Sequence, residues 1–266
     1  MLKYIVGAGL LLFILLCIGW WSGKRLKLHR YTFQNRKVTE DLHGLSIVQI
    51  SDLHCFRFGR EQENLIRVVR QARPDLIAIT GDLFDRHRKD VHEPSFELVF
   101  AMLKIAPVFY VNGNHETAIP GAIFWEGDMR SMGVRVLRNE AADLTVGETS
   151  LRIVGLCEDA RPEQWTMLID STRLHILLAH RPERFKEYMA AGVDLALCGH
   201  THGGLMRILG IGLYAPEQGI FPRYTRGKYS KQRTTMIVSA GLGNTRYAPR
   251  LFNPREVVAV TLQSVR

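Results

Sequence analysis

The stretch Ser46-Ile-Val-Gln-Ile-Ser-Asp52-Leu-His54 sets the pattern from which the fold is read. A short β-branched run ends in two chemically competent side chains two residues apart, which at the end of an extended strand point to the same side. The pattern recurs along the chain. Leu76-Ile-Ala-Ile-Thr80 precedes Gly81-Asp82-Leu-Phe-Asp85, and Val108-Phe-Tyr-Val111 precedes Gly113-Asn114-His115-Glu116. Leu174-His-Ile-Leu-Leu-Ala179 precedes His180, and Asp194-Leu-Ala-Leu-Cys198 precedes Gly199-His200-Thr-His202. Each run reads as a buried strand stopping at a polar or Gly-containing turn. Residues at the C-terminal ends of neighbouring strands converge in the crevice where open α/β sheets bind ligands.

Amphipathic stretches at 61–73, 95–105, 123–132 and 182–190 alternate with these strands, while 151–156, 235–239 and 257–262 read as purely β. The expectation is a single α/β domain without internal repeats.

The residue types suit one chemistry. Cleaving a phosphate ester or anhydride in water needs an oxygen nucleophile deprotonated near neutral pH, and positive charge where the phosphoryl oxygens and leaving group gain electron density. Two divalent ions roughly 3.5–4 Å apart supply both. Imidazole nitrogens with carboxylate and amide oxygens suit Mn, Fe or Zn, and Asp52, His54, Asp82, Asn114, His180, His200 and His202 offer that mixture. Taken singly, Asp-x-His or Gly-Asp reads as surface decoration or turn chemistry. In this order, each after a strand, the set reads as one two-metal centre.

In the order D-x-H, G-D-x-x-D, G-N-H-E, H, G-H-x-H, these motifs resemble the calcineurin-like metallophosphoesterases, from about Asp52 to His202. The resemblance implies a four-layer α/β/β/α sandwich of two mixed sheets with the metals at the loop end. It implies Asp52, His54 and His202 on one ion, Asn114, His180 and His200 on the other, Asp82 bridging them, Mn favoured, and a metal-bridging hydroxide as nucleophile. His115 resembles the family's non-ligand histidine beside the leaving group. Asp85 would hold its imidazole protonated, since a neighbouring negative charge raises a histidine pKa, which makes His115 a candidate general acid. Phosphoprotein phosphatases typically continue the second motif as G-D-x-V-D-R-G, where this chain has Gly81-Asp82-Leu83-Phe84-Asp85-Arg86-His87. The chain is therefore more similar to the phosphodiesterase and pyrophosphatase branch. Its tail, Gly241-Leu-Gly243, Arg250 and Pro254-Arg-Glu256, resembles that of small bacterial membrane-associated members.

Residues 4–23 carry no charge, are rich in Leu and Ile, and end near Trp20-Trp21; about 20 such residues suffice to span a bilayer as a helix. A lone Lys3 ahead of the run, no twin arginines and no small-x-small cleavage pattern favour an uncleaved anchor over a signal peptide. Cys17 follows Leu15-Leu16 rather than a small residue, which argues against lipoprotein processing. Lys24, Arg25, Lys27 and Arg30 follow the run, so the positive-inside bias places the enzyme domain in the cytoplasm of a single-pass cell-membrane protein. The expected organisation is an anchor at 1–23, a basic juxtamembrane linker and hinge at 24–37, and the phosphoesterase domain at 38–266. Cys17, Cys55, Cys157 and Cys198 show no paired spacing and demand no oxidising compartment.

The net charge of +9 suggests nucleic acid until its location is counted. Residues 1–37 hold 7 Lys and Arg and no acid, leaving 28 basic against 26 acidic residues beyond them. The excess borders the membrane, and nucleic acid is not favoured as a partner. One basic stretch remains at 221–233, suited to substrate phosphates or the membrane surface.

The expected function is a membrane-anchored, dinuclear metal-dependent hydrolase of phosphodiester or pyrophosphate bonds, with a lipid-linked phosphate substrate held close by the tether. A soluble phosphodiester substrate, with the anchor only an address, is the alternative. A binding module that lost the chemistry is the remote one, opposed by the complete ligand set.

Overall fold

The computed structural model describes residues 1–88, 91–244 and 249–265. The first half of the chain runs α1 (Leu2–Lys24), β1 (Leu26–Asn35), β2 (Ser46–Ile50), α2 (Glu63–Ala72), β3 (Leu76–Thr80), α3 (Glu93–Leu103), β4 (Val108–Val111), α4 (Asn114–Thr117), α5 (Ala122–Met132) and β5 (Arg135–Val136). The second half runs β6 (Glu140–Val146), β7 (Thr149–Gly155), α6 (Pro162–Trp165), β8 (His175–Leu178), α7 (Phe185–Ala191), β9 (Leu195–Cys198), β10 (Arg207–Ile208), β11 (Ile211–Gly212), β12 (Tyr214–Ala215), β13 (Gly219–Ile220), β14 (Gly227–Lys231), β15 (Thr234–Val238) and β16 (Arg255–Ser264).

Two six-stranded mixed sheets result, ordered β1-β16-β2-β3-β4-β5 and β14-β15-β9-β8-β7-β6. Each has a parallel centre, β2-β3-β4-β5 in one and β15-β9-β8-β7 in the other. Strands buried on both faces need apolar side chains in both directions, and β2 and β3 are buried throughout. Ile47, Phe109 and Val258 of the first sheet meet Ile153, Ile176 and Ile237 of the second in one core between the sheets. Val48, Ile77 and Tyr110 turn outward onto Leu65 and Val69 of α2, Leu98 and Met102 of α3 and Met129 of α5. Leu177, Ala196 and Met236 turn outward onto Trp165, Phe185 and Tyr188. The layers are helix, sheet, sheet, helix, as the sequence predicts.

The linker expected at 24–37 is not one. Residues 26–35 form β1, paired in parallel with β16 over ten residues from Leu26–Arg255 to Asn35–Ser264. Arg25 lies between the last residue of α1 and the first of β1, and its carbonyl accepts from Arg255 N at 2.9 Å. Helix α1 is therefore joined to the sheet through the single residue Arg25. The amphipathic stretch at 182–190 opens as a 3-10 turn, Pro182–Arg184, before α7, as Pro182 at its first position allows.

Helix α1 is long and apolar enough to cross a membrane, and its side chains pack against little else.

Candidate metal centre

Every predicted ligand lies where a strand or its following turn reaches one end of the two sheets. Asp52 and His54 follow β2, Asp82 follows β3, Asn114 opens α4 after β4, His180 follows β8, and His200 and His202 follow β9. Asp52, His54, Asp82, His200 and His202 all have positive φ, between 48° and 73°. Non-glycine residues there cost of order 1–3 kcal/mol each and persist where surrounding structure holds them. Part of that hold is backbone hydrogen bonding between the loops: Asp52 N to Gly81 O and His54 N to Asp82 O, both at 3.0 Å. Gly113 is required by close approach, since a Cβ there would meet Asp82 N at 2.7 Å.

Two buried donor clusters form, Asp52-His54-His202 and Asp82-His180-His200. Asn114 joins the second, its Oδ1 3.1 Å from His180 Nε2 and 3.0 Å from His200 Nδ1. Asp82 stands between the two, with Oδ2 3.6 Å from His54 Nε2 and 3.3 Å from His180 Nε2. His180 donates from Nδ1 to Thr80 O at 2.8 Å, which leaves the Nε2 lone pair for a ligand. Asp52 Oδ2 is buried without a hydrogen-bond partner among the described residues. His54 and His202 face each other through Nε2 at 3.3 Å. An orphaned carboxylate oxygen, converging imidazole nitrogens and no thiolate fit two divalent ions of the Mn, Fe or Zn kind.

The electrostatics agree with ligand duty. Burial lowers His54 to about 4 and holds His200 and His202 well below the usual histidine value, so all three present neutral imidazoles. Burial raises Asp52 to about 6. Burial opposes charge on Asp82 and His180 as well, but each stabilises the ion of the other, so Asp82 is held low and His180 high, and a bound ion would take the place of the His180 Nε2 proton.

His115 and Asp85 stand beside the clusters. Asp85 Oδ1 lies 3.1 Å from His115 Nδ1, and His54 packs edge-on against the His115 ring. Burial works against the imidazolium, but the hydrogen bond to Asp85 and the negative charges of Asp82, Asp85 and Glu116 together outweigh it and raise His115. The same bond, with the His87 backbone N–H and the charges of His54 and His115, holds Asp85 down at about 2 against its own burial.

Sequence reading gave no role to several residues that build this site. Glu116 is buried and accepts from Asp82 N at 3.0 Å, Phe84 N at 2.8 Å and Gly113 N at 2.8 Å, tying two ligand loops together. Its place in the Gly-Asn-His-Glu cluster was the available signal. Arg250 is buried and donates to Ala240 O at 2.6 Å and Gly243 O at 2.9 Å, bracing the turn that backs Asp52. Arg181, adjacent to a ligand, reaches His200 Nε2 at 3.3 Å and Glu217 at 2.7 Å. Pro216, Glu217 and Asn244 wall a cavity of about 60 Å³ over the ligands. It continues into a groove of about 340 Å³ bounded by Phe56, His87 and Arg88.

Residues 45–204 match the family described as calcineurin-like phosphoesterase. An uncharacterized metallophosphoesterase of Aquifex aeolicus (strain VF5) is 30% identical over 254 residues, spanning 90% of this chain and 92% of its own. The phosphodiesterase YaeI of Escherichia coli (strain K12) is 27% identical over 257 residues, spanning 92% of this chain and 89% of its own. Among solved structures, the sulfate thiohydrolase SoxB of Thermus thermophilus superposes with a TM-score of 0.50 at 13% identity, covering 83% of this chain and 57% of that one. This last likeness concerns the fold alone.

Proposed function

The chain belongs to the calcineurin-like phosphoesterase family and is a metal-dependent phosphoester hydrolase, and from that premise we propose a membrane-anchored enzyme that cleaves phosphodiester or pyrophosphate bonds in lipid-linked substrates. The carrying observation is Asp82, whose one carboxylate oxygen lies against a histidine from each buried cluster. A carboxylate so placed suits a bridge between two ions, with Asp52, His54 and His202 holding one and Asn114, His180 and His200 the other.

Bound ions, with Mn favoured, would supply positive charge opposite the phosphoryl oxygens and acidify a water. The chain's own residues do the rest. His115, with Nδ1 committed to Asp85, offers the opposite ring nitrogen to the leaving oxygen and gives it a proton. Glu116 fixes the spacing of the Asp82 and Asn114 loops. The wall from Phe56 to Asn244 sets which leaving groups enter.

The membrane part rests on α1, which ends in Lys24 and is followed by Arg25, Lys27 and Arg30. That charge excess supports a cytoplasmic catalytic domain.

Hydrolysis of bis-p-nitrophenyl phosphate by metal-stripped protein, with Mn restored, tests the chemistry. The expected result is metal-dependent turnover that Asp82→Asn depresses by orders of magnitude and His115→Ala by about tenfold or less, since nitrophenolate leaves with little help. A folded, metal-loaded protein without turnover on phosphodiesters or pyrophosphates would overturn the catalytic reading. Turnover on soluble diesters only, with none on lipid-linked diphosphates in mixed micelles, would leave α1 as an address.

A further inference from the structure

Between β9 and β14 the chain makes two small hairpins, β10–β11 and β12–β13, that serve neither sheet. Their side chains break the usual rule for exposed turns. Leu209 is 98% exposed, Ile220 75% and Phe221 68%, with Ile208 and Ile211 also exposed. Exposed large apolar side chains gathered on two successive hairpins point to a binding face.

Its position relative to α1 identifies the partner. Phe252 N donates to Gly19 O at 2.9 Å, and the Phe252 ring lies where a side chain on Gly19 would be. Leu15 of α1, Leu209 and Phe252 line one cavity of about 760 Å³. Trp20 and Trp21 lie under Lys24 and Arg25 as cation–π pairs, an arrangement suited to the membrane–water boundary. At 1.5 Å rise per residue, Leu15 is about 7 Å deeper along the helix than Trp20. A hairpin tip that shares a cavity with Leu15 therefore lies beside the part of α1 that enters the bilayer wherever α1 crosses it. Arg207 N bonds Leu251 O and Phe252 N bonds Gly19 O, so the base of the β10–β11 hairpin is tied to α1 through residues 251–252.

The surrounding charge fits an anionic surface. Between residues 205 and 233 there are six basic residues and one acid, Glu217, and that acid is paired with Arg181.

We propose that the 207–221 segment is a wedge seated in the bilayer beside α1, its β10–β11 tip among the acyl chains and its β12–β13 hairpin at the headgroup level. Pro216 and Glu217 of the second hairpin wall the metal cavity, so the wedge presents that cavity to phosphate groups in the headgroup layer. The inference rests on the membrane-anchored reading above and goes beyond it by naming a second, independent membrane contact.

Native Cys17 allows the two to be tested apart, since it is the exposed cysteine and the other three are buried. An environment-sensitive fluorophore is placed on Cys17 of the unchanged chain. In a Cys17→Ser background it is placed instead on Leu209→Cys, on Phe221→Cys, or on Glu148→Cys in the turn between β6 and β7. The full chain is reconstituted in phosphatidylethanolamine–phosphatidylglycerol vesicles with brominated acyl chains. Hydrolysis of bis-p-nitrophenyl phosphate at the unsubstituted rate confirms that each variant is folded. The wedge predicts that probes at 17 and 209 lose most of their emission, the probe at 221 less, and the probe at 148 none. Quenching at 17 with 209 and 221 behaving like 148 overturns the wedge while leaving the anchor standing. Probes at 209 and 221 shielded from aqueous iodide yet untouched by brominated lipid overturn it in favour of a second copy of the chain. No quenching at 17 removes the anchor reading, and the wedge falls with it.

Discussion

If His115 is the general acid, the penalty for losing it must depend on how much the leaving group needs a proton. His115 Nδ1 is 3.1 Å from Asp85 Oδ1. The Arg86 backbone N, 3.3 Å from the same nitrogen, cannot donate to it once it is protonated. The other ring nitrogen is thus the one free to serve the substrate. Positioned acid catalysis contributes about 10²–10⁴-fold, which is about 2.7–5.4 kcal/mol of barrier at 1.36 kcal/mol per tenfold. His115→Ala should cost that much in kcat/KM for diphenyl phosphate, whose departing phenolate is basic. For bis-p-nitrophenyl phosphate, whose nitrophenolate leaves with little help, the loss should be about tenfold or less. Asp85→Asn adds a pH signature. Asp85 raises the His115 pKa above its ordinary value, so the acid form survives to higher pH and the rate falls as pH rises through that raised value. Removing the carboxylate lowers the pKa and moves the descending limb of kcat/KM toward acid. Equal losses on the two esters, with an unmoved limb in Asp85→Asn, would refute proton donation and leave His115 as a contact to the phosphoryl oxygens.

Glu116→Gln swaps a carboxylate oxygen facing backbone N–H groups for an amide that donates, and should cost about 1–3 kcal/mol. At about 2–4 °C per kcal/mol for a chain of this size, calorimetry should record a lower melting temperature and Mn titration a weaker site; an unchanged melting temperature would mean the loops are held otherwise. Gly241 has a φ of +70°, and a Cβ there would lie 2.7 Å from Asp52 Cβ. Gly241→Ala should therefore strain the backbone by about 1–2 kcal/mol and displace Asp52, so that metal analysis finds the Asp52-side ion depleted; a full complement would contradict the assignment. Burial raises Asp52 to about 6 in the metal-free protein, so protons compete with metal below that value. Mn affinity should fall as pH drops through about 6, with proton release on binding, and isothermal titration in buffers of different ionisation enthalpy would show it. Chelation should lower thermal stability, since ligand at 100 times its Kd contributes about 2.7 kcal/mol; indifference to chelator would count against a filled centre.

The seven candidate ligands could be picked out from the chain because each piece is local. A strand end, a tight turn and side chains two residues apart are all encoded within ten residues, and parallel strands bring their C-terminal ends together without further instruction. Strand β1 was hidden for the opposite reason. Leu26, Leu28, Tyr31 and Phe33 are interspersed with Lys27, His29 and Arg30, so the stretch resembles a basic tether. It is an edge strand, where charge discourages pairing with other chains, and its partner β16 lies more than two hundred residues away. What lies against it is equally distant: Glu256 Oε2, fully buried, is 2.7 Å from His29 Nδ1 and 3.1 Å from Arg226 Nε. The cavity walls were illegible on the same grounds. Arg181, Glu217 and Asn244 come from three segments and meet only after both sheets have formed. Local pattern therefore reports which side chains gather at the candidate centre, whereas the walls around it are written in contacts between distant segments. The hairpins show the consequence most plainly: Leu209 and Phe221, unremarkable in a basic loop, acquire meaning only because Phe252 pins that loop against Gly19, the sixth residue from the end of α1.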